Sequence, residues 1–287
     1  MPISGTTRIL GIFGDPVAHS FSPIMHNAAL EAAGIDAVYV PFHVTPGQLP
    51  EAVAAIRSLD LTGISLTIPH KEAACALVDE LDPVAILCGA INTIVHRDGR
   101  LIGYNTDGKG LLRAIHEDLG AGVQGKRVLL LGAGGAARAA LVTLATAGAA
   151  WIGVANRTPE RAQQLLAELS PHFAGTAFAA YSLDGDIPDQ LPGAVDLLVN
   201  STAVGLHGAA FPWSPAICVR PAGAVYDMVY GREPTPLVLA ARSAGLVATD
   251  GLAMLAGQGE EAFRLWFDAP PPPGLMRATL ESLCPLK

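Results

Sequence analysis

The sequence predicts an α/β chain of two domains: an N-terminal α/β domain, and a doubly wound unit set inside the chain, with C-terminal helices that return to the first domain. Three observations carry this. The first hundred residues alternate short β-branched or aromatic runs with helix-like spacing. Residues 129–156 read LLLGAGGAARAALVTLATAGAAWIGVAN, an apolar run, a glycine turn, a small-residue helix pattern and a second apolar run. A helical segment from Leu252 to Phe267 is interrupted by the prolines at 270–273 and followed by another from Leu275 to Leu283.

In chain order, Arg8 to Gly14 reads as a buried strand, Pro23 to Ala33 as a helix stopped by Gly34, and Ala37 to Phe42 as a strand. Gln48 to Leu59 is helical, and Gly63 to Ile68 is a strand broken by Pro69. Ile91 to His96 and Leu101 to Tyr104 form a hairpin about Asp98-Gly99. Asp107 to Leu119 is a connecting helix. Beyond the 129–156 unit, strands are expected at Val195 to Val199, Ala224 to Val229 and Leu246 to Thr249, with a helix at Pro236 to Ser243. The expected boundaries are residues 1–106 plus 252–287 for the first domain and 107–251 for the second. Two such domains with a cleft between them would place a substrate against a bound cofactor.

Composition narrows the function classes. With 287 residues, 51% of them hydrophobic and 15% charged, the chain is ample for a full core. The net charge is −8 and there is no basic stripe, which argues against nucleic acid as a partner. Cys75, Cys88, Cys218 and Cys284 are scattered, with no C-x-x-C pair, and the eight histidines lack metal-ligand spacing. No metal is expected. The N-terminus lacks a basic region followed by a long apolar core, and a cytoplasmic small-molecule enzyme is the expectation.

The glycine turn suits a dinucleotide. Free N–H groups and the helix dipole at a helix N-terminus meet a pyrophosphate, with Gly132 permitting the turn, Gly134 admitting the phosphates and Gly135 and Ala136 opening the helix. Ala137 occupies the position where a small residue gives close helix–strand packing. The alternatives are a membrane span, against which five glycines and the turn argue, and a glycine turn that binds nothing. At the end of the second strand, an NAD-specific fold usually carries Asp or Glu. This chain has Asn156-Arg157-Thr158 and then Arg161, and a guanidinium pairs with a 2′-phosphate. NADP(H) is therefore the expected cofactor. The alternative is a pair of solvated arginines, although cations are disfavoured at a helix start unless an anion sits there.

Chemistry-bearing residues precede this unit. Ser20 and Ser22 alternate around Phe21, so an extended backbone would point both hydroxyls the same way, toward a carboxylate or polyol; alternatively, Ser22 caps the helix opening at Pro23. Ser65, Thr67 and Lys71 lie near a strand end, at the rim where α/β sheets bind ligands. Lys71 is either a proton donor to a carbonyl or a surface lysine; Asp107 is either its charged partner or a helix cap.

The motifs G-x-P-x-x-H-S-x-S-P-x-x-H-N, T-x-P-x-K, G-A-x-N-T, N-T-D-G, G-A-G-G-A-x-R-A, N-R-T-x-x-R-A, N-S-T-x-x-G, Y-D-M-V-Y, T-P and D-G-L-x-M-L, followed by Gln258, occur in this order over nearly the whole chain. The set resembles the shikimate dehydrogenase family. The resemblance implies reversible reduction of 3-dehydroshikimate to shikimate with NADPH, in a substrate domain and a Rossmann-like NADP domain. It implies Lys71 and Asp107 as the catalytic pair, and Ser20, Ser22 and Tyr230 as carboxylate ligands. Thr67, Asn92 and Gln258 would hold ring hydroxyls. Asn156, Arg157, Thr158 and Arg161 would clamp the 2′-phosphate, and Thr202, Met228 and Gly251 would line the nicotinamide end. The family often has Asn where this chain has Ser65, which bears on substrate preference. Alternatives are a quinate/shikimate or aminoshikimate paralogue with relaxed choice, or a non-catalytic nucleotide sensor. Expected partners are a small-molecule substrate, without nucleic acid or membrane, in a monomer or homodimer.

Overall fold

The computed structural model describes residues 3–183, 187–206 and 208–283. Residues 1–2 and 284–287 of the expected first domain, Cys284 among them, lie outside the described residues. So do 184–186 and 207 of the second. The described chain divides into two compact units, one reaching to Gly110 and joined by Leu255–Leu283, the other Leu111–Met254.

The first unit holds β1 (Arg8–Gly14), α1 (Ser22–Ala32), β2 (Ala37–His43), α2 (Leu49–Ser58), β3 (Gly63–Leu66), β4 (Glu80–Leu81), α3 (Pro83–Cys88), β5 (Thr93–Arg97), β6 (Arg100–Tyr104) and the first turn of α4 (Asp107–Leu119). Its sheet runs β2-β1-β3-β5-β6-β4. Strand β1 pairs in parallel with β2 and β3, whereas β5 is antiparallel to both β3 and β6. The β5–β6 hairpin turns at Asp98 and Gly99, both at positive φ, as the Asp-Gly pair requires. The core gathers Phe13, Leu49, Val53, Ile56, Ile64, Ile91, Ile94 and Leu101. The strand β3 ends at Leu66, two residues before the expected limit, because Thr67 to Pro69 turns away into Lys71.

The second unit holds β7 (Arg127–Leu131), α5 (Gly135–Thr146), β8 (Trp151–Asn156), α6 (Pro159–Leu169), β9 (Ala177–Ser182), α7 (Ile187–Gln190), β10 (Val195–Asn200), β11 (Val219–Asp227), α8 (Pro236–Ser243) and β12 (Val247–Thr249). Its sheet, in the order β12-β11-β10-β7-β8-β9, is parallel throughout. Strand order reverses between β7 and β10, and ligands of such sheets bind outside the strand carboxyl ends at that point. Leu129, Leu131, Ala155, Leu198 and Val225 are sealed from solvent on this sheet, which explains their unbroken apolar runs. Helices α9 (Leu252–Phe267) and α10 (Leu275–Leu283) close the chain, and α10 packs on α1 within the first unit. No helix among the described residues is long and apolar enough to cross a membrane.

Candidate active site

In the first unit, the turn after β3 delivers Lys71 and the start of α4 delivers Asp107. Lys71 Nζ donates to Asp107 Oδ2 at 2.6 Å. Asp107 is the first residue of its helix; Asn105 Oδ1 takes the Asp107 backbone N–H, so the Asp107 carboxylate faces Lys71 and is not its helix's cap. Its other oxygen, Oδ1, accepts from Asn92 Nδ2 at 2.8 Å.

Asn92 is buried just before β5, and its side chain organises the site. Its amide also lies at 2.9 Å from Thr106 Oγ1 and 3.2 Å from Gln258 Oε1. Its carbonyl oxygen accepts from the Thr106 backbone N–H at 2.8 Å. Thr106 Oγ1 donates in turn to the Gln258 backbone carbonyl at 3.0 Å, tying α9 to this turn. Lys71, Asn92, Asp107 and Gln258 thus converge, and the residue that joins them, Thr106, was given no role in the sequence analysis. Its signal was its place between Asn105 and Asp107, ahead of a helix.

Thr67 stands at the end of β3 with its methyl against Gly14, where any Cβ would collide at 2.5 Å. Ser20 is half-buried and Ser22 buried. Of the two alternatives for this segment, the extended backbone is not found. Phe21 has α-region torsions and is the N-cap of α1, because Ser22 and Pro23 already begin the helix. The capping contact is Ser20 Oγ accepting from the Ser22 backbone N–H at 3.3 Å, so the Ser22 hydroxyl does not cap its helix.

In the second unit the glycine turn follows β7. Gly132 has φ +108°, and a Cβ there would lie 2.8 Å from Ser201 Oγ across the switch point. A Cβ at Gly134 would meet nothing within 4 Å, and Gly134 and Ala136 are exposed at the start of α5. Helix α5 carries no acidic residue in its first turn, and its N-cap Gly134 is extended. Ala137 is buried, as close packing requires. Asn156 ends β8, its amide donating to the Thr158 carbonyl at 2.9 Å; Arg157, Thr158 and Arg161 are exposed. Neither arginine belongs to an ion pair among the described residues. These features fit a dinucleotide: open backbone at a helix start, and two unpaired guanidiniums at the next strand end.

A buried carboxylate fixes the neighbouring loops. Asp227 accepts from Asn200 Nδ2 at 2.8 Å, from Thr235 Oγ1 at 2.6 Å and from the Val229 backbone N–H at 3.1 Å. Asn200 Oδ1 then takes both the backbone N–H and the hydroxyl of Thr202. The loops bearing Thr202, Met228 and Tyr230 are anchored through Asp227, whose burial pushes its carboxyl up to about 6 against these hydrogen bonds. Gly251 abuts the Met228 carbonyl, where a Cβ would sit at 2.3 Å. Asp227 carries no role expected from the sequence, although an acid ending an otherwise apolar strand is a signal for one.

A parallel sheet with a glycine turn at its switch point, in a chain that also carries a lysine–carboxylate pair on a rim, defines a dinucleotide-dependent oxidoreductase. Comparison with known proteins narrows this. Residues 12–94 match the family described as "Shikimate dehydrogenase substrate binding domain", 114–203 "Shikimate / quinate 5-dehydrogenase" and 251–281 "Shikimate 5'-dehydrogenase C-terminal domain". The chain is 48% identical over 280 residues to the shikimate dehydrogenase (NADP(+)) of Geobacter sulfurreducens, covering 98% of each. A Thermus thermophilus shikimate 5-dehydrogenase, solved in complex with NADP(H) and shikimate, is 36% identical, with TM-score 0.84 over 96% of this chain and 99% of that one. The ligand-free 5-ketofructose reductase of Gluconobacter is 33% identical, with TM-score 0.89 over 98% and 100%. The chain belongs to the shikimate dehydrogenase family.

Proposed function

We propose that this protein catalyses the reversible, NADP-dependent reduction of 3-dehydroshikimate to shikimate. The observation that carries the reading is the Lys71–Asp107 pair, held by Asn92, in a chain nearly half identical to a shikimate dehydrogenase (NADP(+)) over its length. The open helix start at Gly134 to Ala136 and the arginines at 157 and 161 support NADP as cofactor. When bound, NADPH supplies the hydride, and the residues of the chain supply orientation and a proton.

Lys71 Nζ donates its proton to the ketone oxygen as negative charge develops there. Asp107 Oδ2 holds Lys71 in place, and Asn92 holds Asp107 Oδ1, so the ammonium is aimed before the substrate arrives. Asp107 also receives the hydroxyl next to the ketone, while Thr67, Asn92 and Gln258 hold ring hydroxyls. Ser20, Ser22 and Tyr230 take the carboxylate. Gly132, Gly134, Gly135 and Ala136 receive the pyrophosphate, with Asn156, Arg157, Thr158 and Arg161 on the 2′-phosphate. Thr202, Met228 and Gly251 line the nicotinamide end. In this reading, residues 1–106 with 252–287 form the substrate-binding and catalytic domain and 107–251 the NADP-binding domain, in a cytoplasmic monomer or homodimer.

The test is a four-way comparison of kcat/KM with purified protein: shikimate against quinate, NADP against NAD. The expected winner is shikimate with NADP. A higher efficiency with quinate moves the assignment to a quinate enzyme, and no turnover with either overturns it.

A further inference from the structure

Two polar residues of the segment Ser20 to Asn27, His26 and Asn27, take no part in the proposed reaction, and both hold Tyr39. Asn27 Oδ1 accepts from the Tyr39 backbone N–H at 2.9 Å, and Asn27 Nδ2 donates to the Tyr39 carbonyl at 2.8 Å. The His26 ring stacks on the Tyr39 ring, centroids 4.4 Å apart and planes 14° apart. Burial lowers the His26 pKa to about 3, so this ring is a neutral packing surface. Trp266 flanks both rings at 5.3 and 6.0 Å. Tyr39 is therefore fixed in backbone and ring, at 1% exposure.

The topology says where its hydroxyl goes. Tyr39 on β2 pairs with Leu10 of β1, and Ser65 on β3 pairs with Ile12. Leu10 and Ile12 are two apart on β1, which lies between β2 and β3, so Tyr39 and Ser65 share one face of the sheet. Ser22 and His26, four apart on α1, share one face of the helix. The Ser65 and Ser22 hydroxyls both face the Tyr39 hydroxyl and favour its ionised form, while burial, the larger effect, opposes ionisation. The serine hydroxyls approach it at poor geometry only, and buried Tyr39 Oη makes no well-formed hydrogen bond. An orphaned buried hydroxyl of this kind calls for a role.

We propose that Tyr39 is a positioning residue for the substrate carboxylate: its hydroxyl donates to Ser22 Oγ when the site tightens on substrate, which turns the proton of Ser22 toward the carboxylate. A serine has one proton and two lone pairs, so a donor placed behind it decides which way that proton points. The phenol keeps its proton throughout the working pH range, because burial raises its pKa. Ser65 completes the cluster from the other side by donating to Tyr39 Oη; the longer Asn that the family often has there would bring an amide to the same hydroxyl. The inference rests on the reading of Ser22 as a carboxylate ligand.

The experiment compares the unaltered protein with Tyr39→Phe on shikimate and on its uncharged methyl ester, with NADP saturating, alongside thermal melting. Tyr39→Phe is expected to raise KM for shikimate about tenfold, the scale of one hydrogen bond to a charged group, with kcat changed less than about twofold. KM for the methyl ester should hardly change. The melting temperature without substrate should stay the same or rise, because an unpartnered buried hydroxyl has been removed. Equal effects on acid and ester, or a fall in kcat together with the melting temperature, mean a structural role and overturn the proposal. So does an unchanged KM for shikimate. Failure of the unaltered protein to turn over shikimate at all overturns the functional reading itself, and this one with it.

Discussion

Lys71 Nζ and Asp107 Oδ2 lie 2.6 Å apart, one at the turn after a strand and the other on the first residue of a helix 36 positions later. The lysine side chain is about one-third exposed and the aspartate 15% exposed, so the pair is sheltered yet reachable. Neither residue is special in isolation. Their pairing makes Lys71 an aimed ammonium instead of a solvated surface charge.

Replacing Lys71 with Ala should lower kcat by about 10² to 10⁴-fold, the usual worth of general acid catalysis, with the fold intact. Single-turnover rates read the first quantity and circular dichroism the second. Near-normal turnover would remove Lys71 from the mechanism.

Arg157 tests the cofactor. Arg157→Ala should raise KM for NADP by about 10- to 100-fold through loss of a charge-assisted contact, and leave KM for NAD almost unchanged. Parallel changes in the two constants would refute a 2′-phosphate clamp at this residue.

Thr106 is 1% exposed and joins Asn92 to Gln258. Thr106→Val keeps the shape but strands the Gln258 carbonyl, and should cost about 1 to 3 kcal/mol of stability by denaturant unfolding. Thr106→Ser should preserve both stability and kcat/KM. A fully stable valine variant would show that the hydroxyl holds nothing.

Asp227 predicts a pH dependence of stability. Its carboxyl is raised from 3.8 to about 6, chiefly by burial, so the folded form binds a proton more tightly than the unfolded chain does. Stability from this group is therefore greatest below about pH 4, falls as pH rises to about 6, and is level above that, with a total near 3 kcal/mol by linkage. In Asp227→Asn, whose amide can donate to Thr235 Oγ1, that fall should vanish. Melting curves of both proteins from pH 4 to 8 compare the slopes; equal slopes would mean that Asp227 does not titrate in this window.

The parts of the fold that were readable beforehand are those set by a period or a turn residue. Leu129 to Leu131 and Ile152 to Ala155 are buried on both faces and so stand out as continuous apolar runs, and Asp98-Gly99 marked its hairpin. The short β4, α3 and α7 were missed, since two to six residues carry no period. At Phe21 two alternatives stood open, extended backbone from the Ser-x-Ser alternation or a helix start at Ser22-Pro23, and the helix starts so early that Phe21 caps it. Lys71 and Asp107 were named through motif order, a property of the whole chain. Thr106 and Asp227 escaped because each acts by holding another residue, and side-chain hydrogen bonds between distant segments leave no local pattern.

The side-chain amide of Asn92 has two protons and three oxygens within reach: Thr106 Oγ1, Asp107 Oδ1 and Gln258 Oε1. One of the three is always without an Asn92 proton, and the longest contact marks Gln258 Oε1, whose other donor, the Thr106 hydroxyl, lies at 3.5 Å, as the one least served. A ligand group that brings its own O–H cures the shortage; an ether or a methyl in the same place would leave it and bury it. Under the proposed function, a site one proton short would favour a hydroxylated ring, the kind of molecule that makes the count come out even.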